Sequence, residues 1–340
     1  MILPRSRFPA GLSVALALLV ALVAWSFTAG RFAVPAADVW RALWAAIIGG
    51  DSGLERNVDA IVLQVRAPRV AAALAVGAAL AASGAAYQNL FRNPLVSPDI
   101  LGVSAGCALG AGLAVLASLP IGAIQAFAFV GGLVAVGLVV AIGTWIGGRD
   151  PILALVLTGV VMGSLFGAGI ALVKYVADPY NQLPAITFWL LGSFTGALPR
   201  DLPVTVLPIA ISVAVLWLLR WRIDLLALPD DEARSLGMNV KALRIAIIVV
   251  ATLATASAVS LAGTIGWIGL LVPHAARFVT GAAFSRLLPL SIVLGAGFML
   301  AVDTACRTLF PTEIPPGVLT AFVGTPVFIA LLATAFRRSP

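Results

Sequence analysis

Charge is what this sequence has least of. Only 10% of its 340 residues are Asp, Glu, Lys or Arg, against about a quarter in an average soluble domain. There are two lysines, Lys174 and Lys241, and one histidine, His274. The two cysteines, Cys107 and Cys306, each sit alone in an apolar run, so no metal or redox spacing exists and a disulfide cannot be argued. Neither lysine lies in a G-x-x-x-x-G-K-[ST] setting, so any ATP hydrolysis belongs to another chain. Neither H-E-x-x-H nor G-x-S-x-G occurs, which argues against an intramembrane protease. No acid falls in the middle of an apolar run; Asp303 stands at the end of one. Ion-coupled carriers place ionisable groups inside the membrane, so a secondary transporter is the second choice of function. His274 reads as a structural donor. No catalytic residue, metal site or cofactor is assigned to this chain, and no nucleic-acid partner is expected.

What is present is apolar surface. The chain is 61% hydrophobic, with 33 glycines and 21 prolines, and its mean hydropathy is +1.09. No single water-soluble core hides that much, so lipid must serve as solvent. The fold class is therefore all-α and polytopic. Runs long enough to cross occupy 10–29, 70–91, 100–119, 121–146, 152–173, 202–219, 245–262, 287–306 and 317–335. A tenth, 264–279, is short and broken by Gly266, Gly269 and Pro273, and 186–198 reads as an interfacial or re-entrant helix. A cleaved leader is the rival reading of 10–29; no A-x-A site closes the run, so it is kept as a span. Ten spans with both termini inside put thirteen of the 21 basic residues in the cytoplasm, the direction that the positive-inside rule requires. The eight outside are Arg31, Arg41, Arg56, Arg66, Arg69, Lys174, Arg200 and Arg307, matched by eight acids.

Two glycine series recur every four residues: Gly102, Gly106 and Gly110, then Gly159, Gly163 and Gly167. Each makes a groove into which a neighbouring backbone fits, so the third and fifth spans are expected inside the bundle. The stretch Gly77–Gly84 is similarly smooth, and Leu80–Pro94 weakly echoes Leu261–Pro273. The longest cytoplasmic loop carries Asp230, Asp231, Glu232, Ala233, Arg234, Leu236 and Gly237. An acidic start suits a helix N-terminus and a Leu-Gly exit suits a helix C-terminus. It reads as a short amphipathic helix, with Leu225, Leu226, Leu228, Ala233, Leu236 and Met238 on its apolar side. A permease without its own ATPase needs such a helix for the motor to push.

Several stretches together resemble FecCD-type permeases, the membrane subunits of type II ABC importers for iron–siderophore chelates, haem and vitamin B12. They are Val65–Gly106, "LPDDEARSLGMNV", Ala262–Arg277 and Glu313–Leu332. The likeness covers nearly the whole chain past Val62. It implies one permease domain of ten helices over residues 1–340, with the coupling loop at about 222–243. It also implies a homodimer with two ATPase subunits, which bind the ATP and magnesium, and a periplasmic binding protein at the bacterial inner membrane. By the same resemblance Arg66, Arg69 and Arg307 dock the binding protein. Asn93 and Leu95 form a cytoplasmic gate, and the loop around Asp150–Leu153 forms a second. The family's coupling motif carries glycine where Pro229 or Asp230 stands here, which leaves the start of the coupling helix open. An iron(III)-siderophore or haem is the expected cargo, with vitamin B12 or molybdate as alternatives.

Overall fold

The computed structural model describes residues 7–30, 32–148 and 151–336, and among them there is helix but no strand. Arg5, Arg31, Arg149, Arg337 and Arg338 of the charge pattern, and Asp150 of the second gate, lie outside the described residues. In chain order the helices are α1 (Arg7–Thr28), α2 (Ala36–Ile48) and α3 (Arg56–Ala60), which passes through a π-helical stretch (Ile61–Arg66) into α4 (Ala67–Leu90). A 3₁₀ turn (Pro98–Leu101) leads into α5 (Val103–Leu116), α6 (Ile121–Ile146), α7 (Pro151–Val176), α8 (Gln182–Leu191) and α9 (Leu202–Asp224). Then follow α10 (Asp230–Ser235), α11 (Val240–Ala262), α12 (Ile268–Thr280), α13 (Phe284–Thr308) and α14 (Pro316–Phe336).

Every expected span falls on a helix, and α6 has the boundaries of its apolar run. Among the described residues, seven helical segments are long and apolar enough to cross a membrane: α1, α3 with α4, α6, α7, α9, α11 and α13. The helices α5, α8, α12 and Pro316–Leu331 of α14 are apolar but shorter. The 186–198 segment is helical earlier than expected, from Gln182 to Leu191. Helix α2 has no counterpart among the expected elements. It buries Val39 and Ala42 and exposes Trp40 and Trp44, the habit of an amphipathic helix lying across an end of the bundle. At 13 residues, with Asp38 and Arg41 inside it, it falls below any span threshold.

Helix α4 is the hub. Nearly all of it from Val76 to Leu90 is buried. The Ser83 hydroxyl donates to the Ala251 carbonyl at 3.1 Å, and the Tyr87 hydroxyl lies 3.0 Å from that of Thr252. These contacts fix α11 antiparallel to it. Its glycines set the depth of the neighbours. A Cβ on Gly77 would overlap the Gly295 carbonyl of α13, and one on Gly84 would overlap the Gly269 carbonyl of α12. The two stretches that echo each other in sequence therefore lie against each other.

The glycine series divide. Gly106 and Gly110 face the backbone of α6 at Gly131 and Phe127, and Gly159 faces the Ile100 carbonyl. Gly102 serves as a left-handed cap, with φ +75°. Gly163 and Gly167 have nothing within 4 Å of an added Cβ, and α7 exposes Val160, Val161, Leu165 and Leu172. The expectation that α7 is buried within its own chain is thus corrected. A four-residue glycine repeat makes a groove, but only tertiary structure decides whether a helix fills it.

Candidate functional site

Charged groups collect at the two ends of α4, about 36 Å apart at 1.5 Å per residue. At the first end Arg66, Arg69 and Arg307 do come together, but they face inward. They are 5%, 7% and 8% exposed. Arg66 donates to the carbonyls of Phe27, at 2.6 Å, and Phe32. Arg307 donates to the carbonyls of Ala29 and Ser26, both at 2.6 Å. The two thereby satisfy carbonyls that the C-terminus of α1 leaves without helical partners, and each places a cation where the helix dipole favours one. Arg69 bridges two acids. Its Nε is 2.9 Å and its Nη2 2.8 Å from Asp303 Oδ1, and it forks onto Glu313. Arg307 Nε stands 3.5 Å from Asp303. These guanidinium groups bond to acceptors of their own chain, and their docking of a binding protein stands as a proposal. They cross-link α1, α4 and α13.

At the other end α10 is held from both sides. The Gly237 N–H donates to the Arg234 carbonyl at 2.9 Å and the Met238 N–H to the Ala233 carbonyl at 3.3 Å. With Gly237 at φ +80°, this is the glycine-terminated C-cap that the Leu-Gly pair announced. Asn239 then caps α11, accepting from the Ala242 N–H at 3.0 Å. Asp230 receives Arg244 at 2.8 Å and Arg92 at 3.1 Å. Burial alone would push the Asp230 carboxyl up, but bonds and charge from Arg244 and Arg92 outweigh it and hold the carboxyl below the usual carboxylate range. The pair is therefore intact at neutral pH and weakens only as pH falls through that lowered value. Asp231 and Arg234 pair along the helix at 3.1 Å. Glu232 is exposed and Ala233 buried.

The expected apolar side of this helix is only partly realised. Leu226 and Ala233 are buried, whereas Leu236 is 63% exposed. It borders a cavity of about 560 Å³ that Leu219, Arg222, Met238 and Asn239 also line. The C-cap turn directs Leu236 outward while Ala233 stays under the helix. Nearby, Asn93 and Leu95 stand on the turn that follows α4. The Leu95 N–H donates to Asn93 Oδ1 at 2.9 Å, and Leu95 is 47% exposed. The link from Arg92 to Asp230 joins this turn to α10.

Between the ends an apolar groove of about 660 Å³ runs along α14, lined by Leu190, Leu191, Thr264, Val318, Phe322 and Thr325 among others. Its floor is the break between α11 and α12, where Gly263 takes φ +72° against the Trp189 carbonyl. Among the described residues neither nitrogen of His274 has a hydrogen-bond partner. Its ring meets Phe278 edge-on at 5.6 Å, so it is not the donor that the sequence suggested. No cluster of three metal-ligating side chains occurs among the described residues.

Residues 18–334 match the profile of the FecCD transport family. The chain is 36% identical over 315 residues to the molybdate import system permease protein MolB of Haemophilus influenzae, covering 93% of each. It is 40% identical over 276 residues to a protein named as a probable iron chelatin transport system permease of Helicobacter pylori, covering 81% of this chain and 83% of that one. A solved structure described as an inward-facing conformation of a metal-chelate type ABC transporter superimposes with a TM-score of 0.85 at 34% identity, over 96% of this chain and 99% of the other. A charged platform at one end of the bundle, an apolar groove within it and family likeness along almost the whole length agree, and the chain belongs to the FecCD transport family as an ABC transporter permease.

Proposed function

We propose that this chain forms the transmembrane path of an importer for a chelated metal, with an iron(III)-siderophore or haem as cargo. It works as a homodimer with two ATPase subunits, and a periplasmic binding protein delivers the cargo. The observation that carries the reading is Leu236, an exposed apolar side chain on a short helix pinned by ion pairs and a glycine cap. Such a residue is suited to a cleft in a motor subunit. The apolar groove along α14 fits a bulky chelate better than a bare cation, whose hydration it could not replace. The open faces of α7, with Gly163 and Gly167, offer a second copy a close approach.

Ten crossings follow when α5, α12 and α14 are counted with the seven long segments. The helix directions support this, because α1, α5, α7, α11 and α13 run one way and α4, α6, α9, α12 and α14 the other. Both termini and α10 then share the cytoplasmic side of the inner membrane. Asn93 and Leu95 stand on that side as the gate.

Leu236→Asp is expected to leave the permease folded and to release the ATPase. A buried apolar anchor carries about 2 kcal/mol or more, which is a loss of about thirtyfold in affinity. Co-purification at the original yield would make the helix an ordinary solvated loop. Orthovanadate should stop uptake; uptake that persists would favour a secondary carrier. The likeness to a molybdate permease keeps that oxyanion as the second cargo. Mass spectrometry of what the cognate binding protein holds decides between them.

A further inference from the structure

We propose that Arg92 is the link that carries movement of α10 to the gate turn, so that its guanidinium makes nucleotide state legible at Leu95. The inference rests on the reading of α10 as the ATPase-facing helix. Arg92 stands between the last turn of α4 and Asn93. Its Nε donates to the Leu226 carbonyl at 2.7 Å, and its Nη2 donates to the Leu228 carbonyl and meets Asp230 at 3.1 Å. One rigid planar group thus grips three points along residues 226–230. Asp230 is the first residue of α10, and its other partner, Arg244, lies on α11.

An exposed ion pair alone would transmit little, because long side chains swing and water screens them. Three features set this one apart. The two carbonyls accept from the same guanidinium that pairs with Asp230, and such a fork has a fixed geometry. Arg92 itself sits at φ +49°, a region that non-glycine residues seldom occupy and keep where surrounding contacts over-determine them. Among the described residues, no other side-chain hydrogen bond joins the 91–97 turn to the 225–238 segment. Displacing α10 therefore pulls on the residue directly before Asn93, and Leu95 follows through the bond from its N–H to Asn93. A bundle without this grip would let the motor close while the gate turn stayed put.

The test uses the permease with its ATPase subunits in lipid nanodiscs and a thiol placed by Leu95→Cys. The native Cys107 and Cys306 are buried, so a membrane-impermeant maleimide reports on position 95. Labelling rates are compared without nucleotide and after trapping with ATP, magnesium and vanadate. In the Leu95→Cys parent the two rates should differ by about fivefold or more, the lower range of coupling between distant sites. With Arg92→Gln added the ratio should collapse toward one, while ATP hydrolysis continues and the ATPase still co-purifies. Arg92→Lys keeps a charge for Asp230 but loses the fork, so it should give an intermediate ratio. A parent-like ratio in Arg92→Gln overturns the proposal. If that variant fails to fold, a parent-like ratio in Arg92→Lys does so instead. A parent whose introduced thiol ignores nucleotide with the ATPase attached also overturns it. A parent that never retains the ATPase sinks the functional reading, and this link with it.

Discussion

Arg69→Met is expected to cost the detergent-solubilised permease about 3–5 kcal/mol, the usual result of removing one partner from a buried ion pair. The Asp303 side chain is fully buried and that of Glu313 partly so. Without Arg69 two carboxylates would face each other, with Arg307 Nε at 3.5 Å from Asp303 as the nearest remaining cation. Thermal unfolding followed by size exclusion reads the loss directly. Arg69→Lys should recover only part of it, because a point charge cannot fork onto two acids. The double variant Arg69→Met with Asp303→Leu should be more stable than Arg69→Met alone, since it also removes the stranded carboxylate. A single variant within about 1 kcal/mol of the parent would mean that water reaches these charges, as in exposed pairs, and that the cluster does not hold the helices.

Gly84→Val should also be damaging, for a steric reason. The Cβ would fall on the carbonyl of Gly269, a backbone atom that no rotamer change can move aside. Helices α4 and α12 would have to separate, and forced overpacking costs about 1–3 kcal/mol or more. Gly137→Ala, within α6, is the control. It has open space around it and lies within a helix, where alanine is favoured over glycine by up to about 1 kcal/mol. The same substrate-free unfolding assay should therefore give opposite signs at two glycines that sequence alone treats alike. Equal tolerance at Gly84 and Gly137 would refute the close crossing of α4 and α12.

The contrast between those glycines shows what could be read in advance. Span positions were legible because apolar length is a property of the chain, and α6 matches its run at both ends. The exit of α10 was legible because only glycine takes the left-handed cap without strain. Helix α2 was not, since a short amphipathic helix leaves no long apolar run. The arginine cluster was half legible. Spacing along α4 and the position of Arg307 gathered the three, but whether they turn inward depends on the α1 carbonyls, Asp303 and Glu313. Two acids close to Arg307 in sequence were the available sign of that inward turn. Arg92 was missed because its partners stand 134 to 138 residues away. No local pattern announces such a bond.

The arginine cluster also sets a timetable for biosynthesis. Arg66 finds the Phe27 carbonyl 39 residues upstream, on a helix already made when α4 emerges. Arg69 must wait for Asp303, 234 residues downstream, about 10–50 s of translation at about 5–20 residues per second. Through that interval Arg69 lacks both of its carboxylate partners, because Glu313 comes later still. Closure of this end of the bundle is therefore a late event, completed by α13 and the segment that carries Glu313. A chain truncated before Asp303 would leave the Arg69 guanidinium at the first turn of α4 without a carboxylate, and α4 without that tie to α13.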